Sequence, residues 1–125
     1  MTRRKPASRR GSAPAPTHPM SDDMLLAVAG RFRALGEPVR LRLLEALCEG
    51  PRSVTELARI AGASHANTSK HRFVLASAGF VLRRREGNRV VYATTDAPPE
   101  RICGVICQHV VRGAETGLRR IRGAS

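Results

Sequence analysis

The stretch Ser53-Val-Thr-Glu-Leu-Ala-Arg-Ile-Ala-Gly-Ala-Ser-His-Ala-Asn-Thr-Ser-Lys-His-Arg-Phe-Val-Leu-Ala-Ser-Ala-Gly79 decides the fold. It opens with Ser53-Val-Thr-Glu56. In that pattern a Ser hydroxyl and a Glu carboxylate three residues on each accept a backbone N–H that the helix start leaves unpaired. Leu57 and Ile60 carry the short helix that follows. Gly62 ends it, since glycine takes the left-handed backbone that closes a helix. Ser64 caps a second helix, which runs to Ala78 before Gly79. Two helices joined by a three-residue turn containing Gly have the spacing of a helix-turn-helix. Many helical proteins contain such a hairpin, so the flanking sequence decides.

Downstream, Val81 to Glu86, then Gly87-Asn88, then Arg89 to Thr94 read as a β-hairpin with a two-residue turn. The register sets Glu86 opposite Arg89 and puts Arg83-Arg84-Arg85 beside an exposed tip. A helix-turn-helix followed by a basic hairpin is a winged helix. Its second helix would enter the major groove, and its wing would lie along the backbone or the minor groove.

Upstream, Ser21, Asp22 and Asp23 suit a helix start by capping and by charge. Leu25, Val28, Phe32 and Leu35 form one helical stripe, ended by Gly36. Pro38 sits where a first helical residue belongs. Val39, Leu43, Leu44 and Leu47 form the next stripe, stopped by Gly50-Pro51. The last element begins near Pro98-Pro99-Glu100. Ile102, Val105, Ile106, Val110 and Val111, with Cys103 and Cys107, make it apolar nearly all round. Such a helix needs burial on two sides, and a second copy of the chain supplies the second side. The expectation is a mainly α fold with a small β-hairpin, in the order α1-α2-α3-α4-β1-β2-α5. Residues 1–20 read as a disordered basic tail, 21–112 as the winged-helix and dimerisation domain, and 113–125 as a frayed basic end.

Charge points to the partner. The 125 residues carry 22 Lys+Arg against 10 Asp+Glu, a net +12. A polyanion such as double-stranded DNA is the first expectation. The excess is uneven. Residues 1–20 hold five basic residues and no acid, whereas 21–97 hold twelve basic against eight acidic. The middle is therefore only mildly basic. This argues against the main rival, a sequence-indifferent architectural protein that binds any duplex as a polycation. Aromatics make up only 3%, against modules that stack single-stranded bases on aromatic platforms. The longest apolar run, Met24 to Ala29, is far short of the roughly 20 residues of a membrane helix, so no membrane association is expected. Three cysteines, Cys48, Cys103 and Cys107, are an odd number without an apolar leader. They fit a reducing cytoplasm better than a disulfide framework. No Cys-x-x-Cys, nucleophile triad, phosphate loop or His-Glu-x-x-His appears, so catalysis is not expected.

With these elements in place, the sequence resembles the ArsR/SmtB family of bacterial winged-helix repressors. The resemblance runs from Phe32 to Asp96, with a weaker extension through the last helix. It is carried by Arg33-Ala-Leu-Gly-Glu-Pro-Val-Arg-Leu-Arg-Leu-Leu44, Ser53-Val-Thr-Glu-Leu-Ala58 and Ser64-His-Ala-Asn-Thr-Ser-Lys-His71. Val74-Leu75, Ala78-Gly79-Phe80-Val81, Arg84-Arg-Glu-Gly87 and Val91-Tyr92 complete it. It implies a homodimer paired through the first and last helices, and a repressor that leaves its operator when an inducer, often a metal ion, binds. Both well-known metal sites of the family look absent. Where one has Cys-x-Cys, this chain has Ser53-Val54-Thr55. For the other, Asp96 and His109 match two ligands, but Pro98 and Arg112 occupy the remaining two. Arg72 stands where the family places a core Leu, Phe73 where it places a polar residue, and Glu37 where it places an Asp cap.

The DNA-facing candidates are Ser64, His65, Asn67, Ser69 and Lys70 on the second helix of the pair. Asn pairs bidentately with adenine, and Lys donates to guanine or phosphate. Thr55, near its own helix start, is placed to donate to phosphate. Arg85, Asn88 and Arg89 are the wing candidates, contributing affinity and salt dependence rather than sequence choice. Their alternative is a solvated charged hairpin holding a Glu86–Arg89 pair. His71, one turn further in, reads as a partnered structural residue. Cys103 and Cys107 are i, i+4 and share a face. All three cysteines read first as small buried core residues. The competing reading makes Cys103 and Cys107 a site for a soft metal or for thiol modification.

Overall fold

The computed structural model describes residues 19–96 and 99–124. The tail reading of residues 1–20 therefore lies almost wholly outside the described residues, as does Pro98.

Five helices and one hairpin follow each other in the expected order: α1 (Asp22–Leu35), α2 (Pro38–Cys48), α3 (Val54–Ala61), α4 (His65–Ser77), β1 (Val81–Glu86), β2 (Arg89–Thr94) and α5 (Glu100–Ala124). Each of the first four starts on a side-chain cap. Ser21 Oγ accepts from Met24 N at 3.2 Å. Glu37 Oε1 accepts from Val39 N at 2.7 Å and from Arg40 N at 3.2 Å, so Glu37 does the capping work of the shorter acid. The box at α3 closes in both directions: Ser53 N donates to Glu56 Oε1 at 2.8 Å, and Glu56 N to Ser53 Oγ at 3.2 Å. Ser64 Oγ accepts from Asn67 N at 3.0 Å. Gly62 closes α3 at φ +65°, a backbone that a β-carbon would strain.

β1 and β2 pair antiparallel in the expected register, Val81 opposite Thr94 through Glu86 opposite Arg89. Gly87 takes φ +64° in the turn between them. One further pairing had no sequence signal. Arg52 N donates to Tyr92 O at 3.0 Å and Tyr92 N to Arg52 O at 2.8 Å, adding a one-residue rung outside β2. A single residue has no periodicity to read.

The core is built by α2, α3, the inner side of α4 and the root of the hairpin. Leu43, Leu57, Leu75 and Val91 are fully buried, joined by Leu44, Leu47, Phe80, Val81 and Tyr92. Each Leu contributes roughly 1.5–3 kcal/mol of transfer free energy. Arg72 is half-buried on α4. Its guanidinium lies 4.5 Å from the centre of the buried Tyr92 ring, a cation–π contact. Its Nε has no hydrogen-bond partner among the described residues.

Only the C-terminal end of α1 is buried: Ala34 and Leu35 pack inward, while Leu25 and Phe32 are exposed. Periodicity told which face of α1 is apolar, not how far along it the core reaches. The cysteines do not fill the core of the chain, because Cys48 and Cys107 are exposed and Cys103 is half-buried. α5 is helical from Glu100 to Ala124. Gly113 and Gly117 each cost about 1 kcal/mol relative to Ala. The Ala, Glu, Leu and Arg residues among them are strong helix formers, and no proline interrupts them.

Candidate nucleic-acid interface

α4 presents two sides. Thr68 and Leu75 are buried, while His65, Ala66, Asn67, Lys70, Phe73 and Ser77 are exposed. His65, Asn67 and Lys70 thus lie where the sequence placed them. Ser69 is half-buried, nearer the core than expected. Ser64 is exposed, and its hydroxyl serves as the helix cap. That cap sits at the positive end of the helix dipole, the end that favours a phosphate. Thr55 is exposed at the second residue of α3, at the same kind of helix end.

Besides its buried residues Thr68 and Leu75, α4 is held by a guanidinium that the sequence reading did not single out. Arg40 Nε donates to Ala34 O at 2.6 Å and Nη2 to Arg33 O at 3.3 Å, closing the C-terminal end of α1. Arg40 Nη1 lies 3.0 Å from His71 Nδ1. Arginine has only protons to offer, so Nδ1 accepts and the ring proton sits on Nε2. Glu37 Oε1 stands 3.9 Å from the same Nδ1. His71 is therefore a partnered structural residue that ties the second turn of α4 to α1 and α2.

The wing is anchored by a pair other than the Glu86–Arg89 pair of the alternative reading. Glu86 faces Arg89 in the register, yet the two do not pair. Arg84 Nη2 donates to Glu86 Oε2 at 2.9 Å, and Arg89 Nη2 reaches back to Glu56 Oε1 at 3.0 Å. The Glu56 carboxylate thus serves the α3 cap and the wing together. The Ser53 backbone hydrogen bond, chiefly, and the Arg89 charge hold its pKa below the ordinary value. Arg83 and Arg85 are exposed and make no salt bridge among the described residues, and Asn88 is exposed at the tip. Arg85 is the freer cation, and Arg89 doubles as the anchor.

The thiols form a loose row, Cys103 lying near both Cys48 and Cys107. Burial of its sulfur, then the neighbouring Glu100 carboxylate, push the Cys48 thiol up to about 12. Cys103, close enough to add to that shift, is itself raised by burial and by Cys107. Protonated thiols are poor nucleophiles. Among the described residues no group of three or more His, Cys, Asp or Glu could hold a metal ion. The described residues of a single protomer therefore do not fit the metal that the family resemblance implies. Nor, among the described residues, is any helix long and apolar enough to cross a membrane.

Comparison with known proteins follows the same lines. The sequence profile described as "Bacterial regulatory protein, arsR family" matches residues 37–82. The chain is 36% identical over 85 residues to the transcriptional regulator CmtR of Mycobacterium tuberculosis, covering 68% of this chain and 72% of CmtR. It is 38% identical over 65 residues to a probable mercury resistance operon repressor of Streptomyces lividans, and spans only about half of that relative, 52%. Among solved structures it is similar to the homodimeric winged helix-turn-helix DNA-binding domain Mb0332 of Mycobacterium bovis. There the TM-score is 0.60 at 30% identity, over 78% of this chain and 91% of the other.

Proposed function

We infer the function from one premise: the chain belongs to the ArsR family of bacterial regulatory proteins. It acts as a sequence-specific transcriptional repressor that binds operator DNA as a homodimer. The observation that carries this reading is the uncovered polar side of α4, tied down from within by Arg40 and His71 and flanked by the Arg89-anchored wing. In this reading His65, Asn67 and Lys70 meet base edges in the major groove. Ser64 and Thr55 present helix ends to phosphate, with Ser69 at the margin. Arg85, Asn88 and Arg89 run along the backbone. The dimer forms through α1 and α5, whose apolar residues Met24, Leu25, Leu26, Phe32, Val105, Ile106 and Val110 are uncovered in the single chain. The family is one of regulators rather than enzymes.

Release from the operator is the second half of the reading. We place it at Cys103 and Cys107, on the helix that pairs the protomers, in a reducing cytoplasm. Because burial keeps the Cys103 thiol protonated, the effector is one that displaces the thiol protons on binding, such as a soft metal, rather than an electrophile awaiting a free thiolate. Since the described residues of one protomer gather too few ligands, a soft metal would take donors from both. A Cys103→Ser, Cys107→Ser double variant should lose its response to thiol-directed inducers. Full retention of that response removes the thiols from the account.

The binding half is tested by fluorescence anisotropy of the reduced full chain. Its own upstream duplex and a scrambled one are titrated at two salt concentrations. Base readout predicts a preference of at least about tenfold for the upstream duplex that survives the higher salt. Equal affinities that fall together with salt would instead mark plain polycation binding, the behaviour of an architectural protein.

A further inference from the structure

We propose that Phe73, one turn beyond Lys70 on the outer stripe of α4, reads the 5-methyl group of a thymine in the major groove. The inference rests on the reading that α4 enters that groove. Residues 66, 70, 73 and 77 are spaced to share one face of the helix, opposite the buried Thr68 and Leu75, and all four are exposed. Phe73 is 64% exposed. Outside α1 and α5, the other exposed large apolar side chains, Met20, Leu41, Ile60 and Leu82, reach only 37–41%. Phe73 is not among the residues lining the apolar cleft between α1 and the start of α5. Its neighbours along the stripe are Lys70 and Ser77, so it does not continue an apolar face of the protein.

A phenyl ring held in water beside a lysine suits a surface that is anionic at its rim and apolar at one point. The major groove is such a surface. Phosphates line it, and thymine alone presents a methyl group on its edge. Lys70 supplies the charge attraction and the hydrogen bond, and Phe73 supplies the apolar contact one turn further along. Burying one methyl against the ring is expected to strengthen binding roughly three- to fourfold. In a dimer reading two half-sites, the effect is about tenfold.

The test uses the full chain and a duplex that the wild type itself selects from a random pool. That duplex is made once with thymine and once with uracil, which lacks only the methyl. The wild type should bind the uracil duplex about three- to tenfold more weakly. Phe73→Ala should bind the two alike, and Phe73→Leu should keep the preference. Equal binding of both duplexes by the wild type overturns the inference, as does a thymine preference that survives intact in Phe73→Ala. Sedimentation of Phe73→Ala should match the wild type; loss of the dimer would assign the ring to a protein interface and overturn the inference too. Failure of the underlying reading is visible earlier, because the wild type would then not distinguish its selected duplex from a scrambled one.

Discussion

Two uncovered surfaces of this chain differ in chemistry. The outer side of α4 and the wing expose His65, Asn67, Lys70 and Arg85, whereas α1 and α5 expose Leu25, Leu26, Val105 and Ile106. Exposure is common to both and therefore says nothing by itself. A polar, cationic side can stay in water until a polyanion replaces the water. A stripe of aliphatic side chains on two helices is costly to leave wet, and its natural cover is a copy of itself. In the proposed reading the first surface meets DNA and the second a copy of the chain, and both are local consequences of which residues each element turns away from the core.

The largest effect that separates inside from outside is expected at Leu75, on the buried side of α4. Leu75→Ala should cost roughly 2–5 kcal/mol of stability, read by thermal unfolding. A loss below about 1 kcal/mol would mean that α4 is not seated on the core as described. On the apolar surface, Val105 is 67% exposed in the single chain. Val105→Asp should weaken the dimer by about a hundredfold or more, because an unpaired charge would be buried in the contact. Sedimentation across a concentration series reads this, and an unchanged dimer would move the interface elsewhere.

The smallest effect concerns the joint between α3 and the wing. The pKa of Glu56 is held below its ordinary value of 4.5 in the folded chain, first by the Ser53 backbone hydrogen bond and also by Arg89. A carboxylate depressed by folding lends stability in full above its unfolded pKa and loses it as pH falls through the folded value. Wild type should therefore be more stable than Glu56→Gln from neutral pH down to about pH 5, with the gap closing at lower pH. A gap that stays constant to pH 3 would mean that the carboxylate charge plays no part in the joint.

The winged-helix order was legible because each element carries its own local signal. Ser53 with Glu56, Ser64, Gly62 and Gly87-Asn88 are chemical requirements of caps and turns, and alternation set the hairpin register. What escaped was long-range. Arg40 reaches His71 across 31 positions and Arg89 reaches Glu56 across 33, distances over which no periodic pattern speaks. Arg89 does stand opposite Glu86 in the register, as the sequence placed it, but its guanidinium pairs with Glu56, a carboxylate already fixed by a helix cap. The burial of Arg72 against Tyr92 escaped for a related reason. Arginine counts as a surface residue until a buried aromatic face is there to receive it. Of the interface candidates, those set by helical phase, His65, Asn67 and Lys70, emerged exposed. Ser69, near the edge of that phase, turned partly inward.

The central claim, that α4 selects sequence while charge merely holds the duplex, is met most directly by one comparison. An Asn67→Ala, Lys70→Ala variant and the wild type are titrated by anisotropy onto the preferred and the scrambled duplex. The account predicts that the ratio of the two affinities falls by roughly tenfold or more in the variant, with binding to the scrambled duplex only modestly weaker. If the ratio is unchanged and both affinities drop together, α4 is a phosphate-binding helix and the claim is wrong.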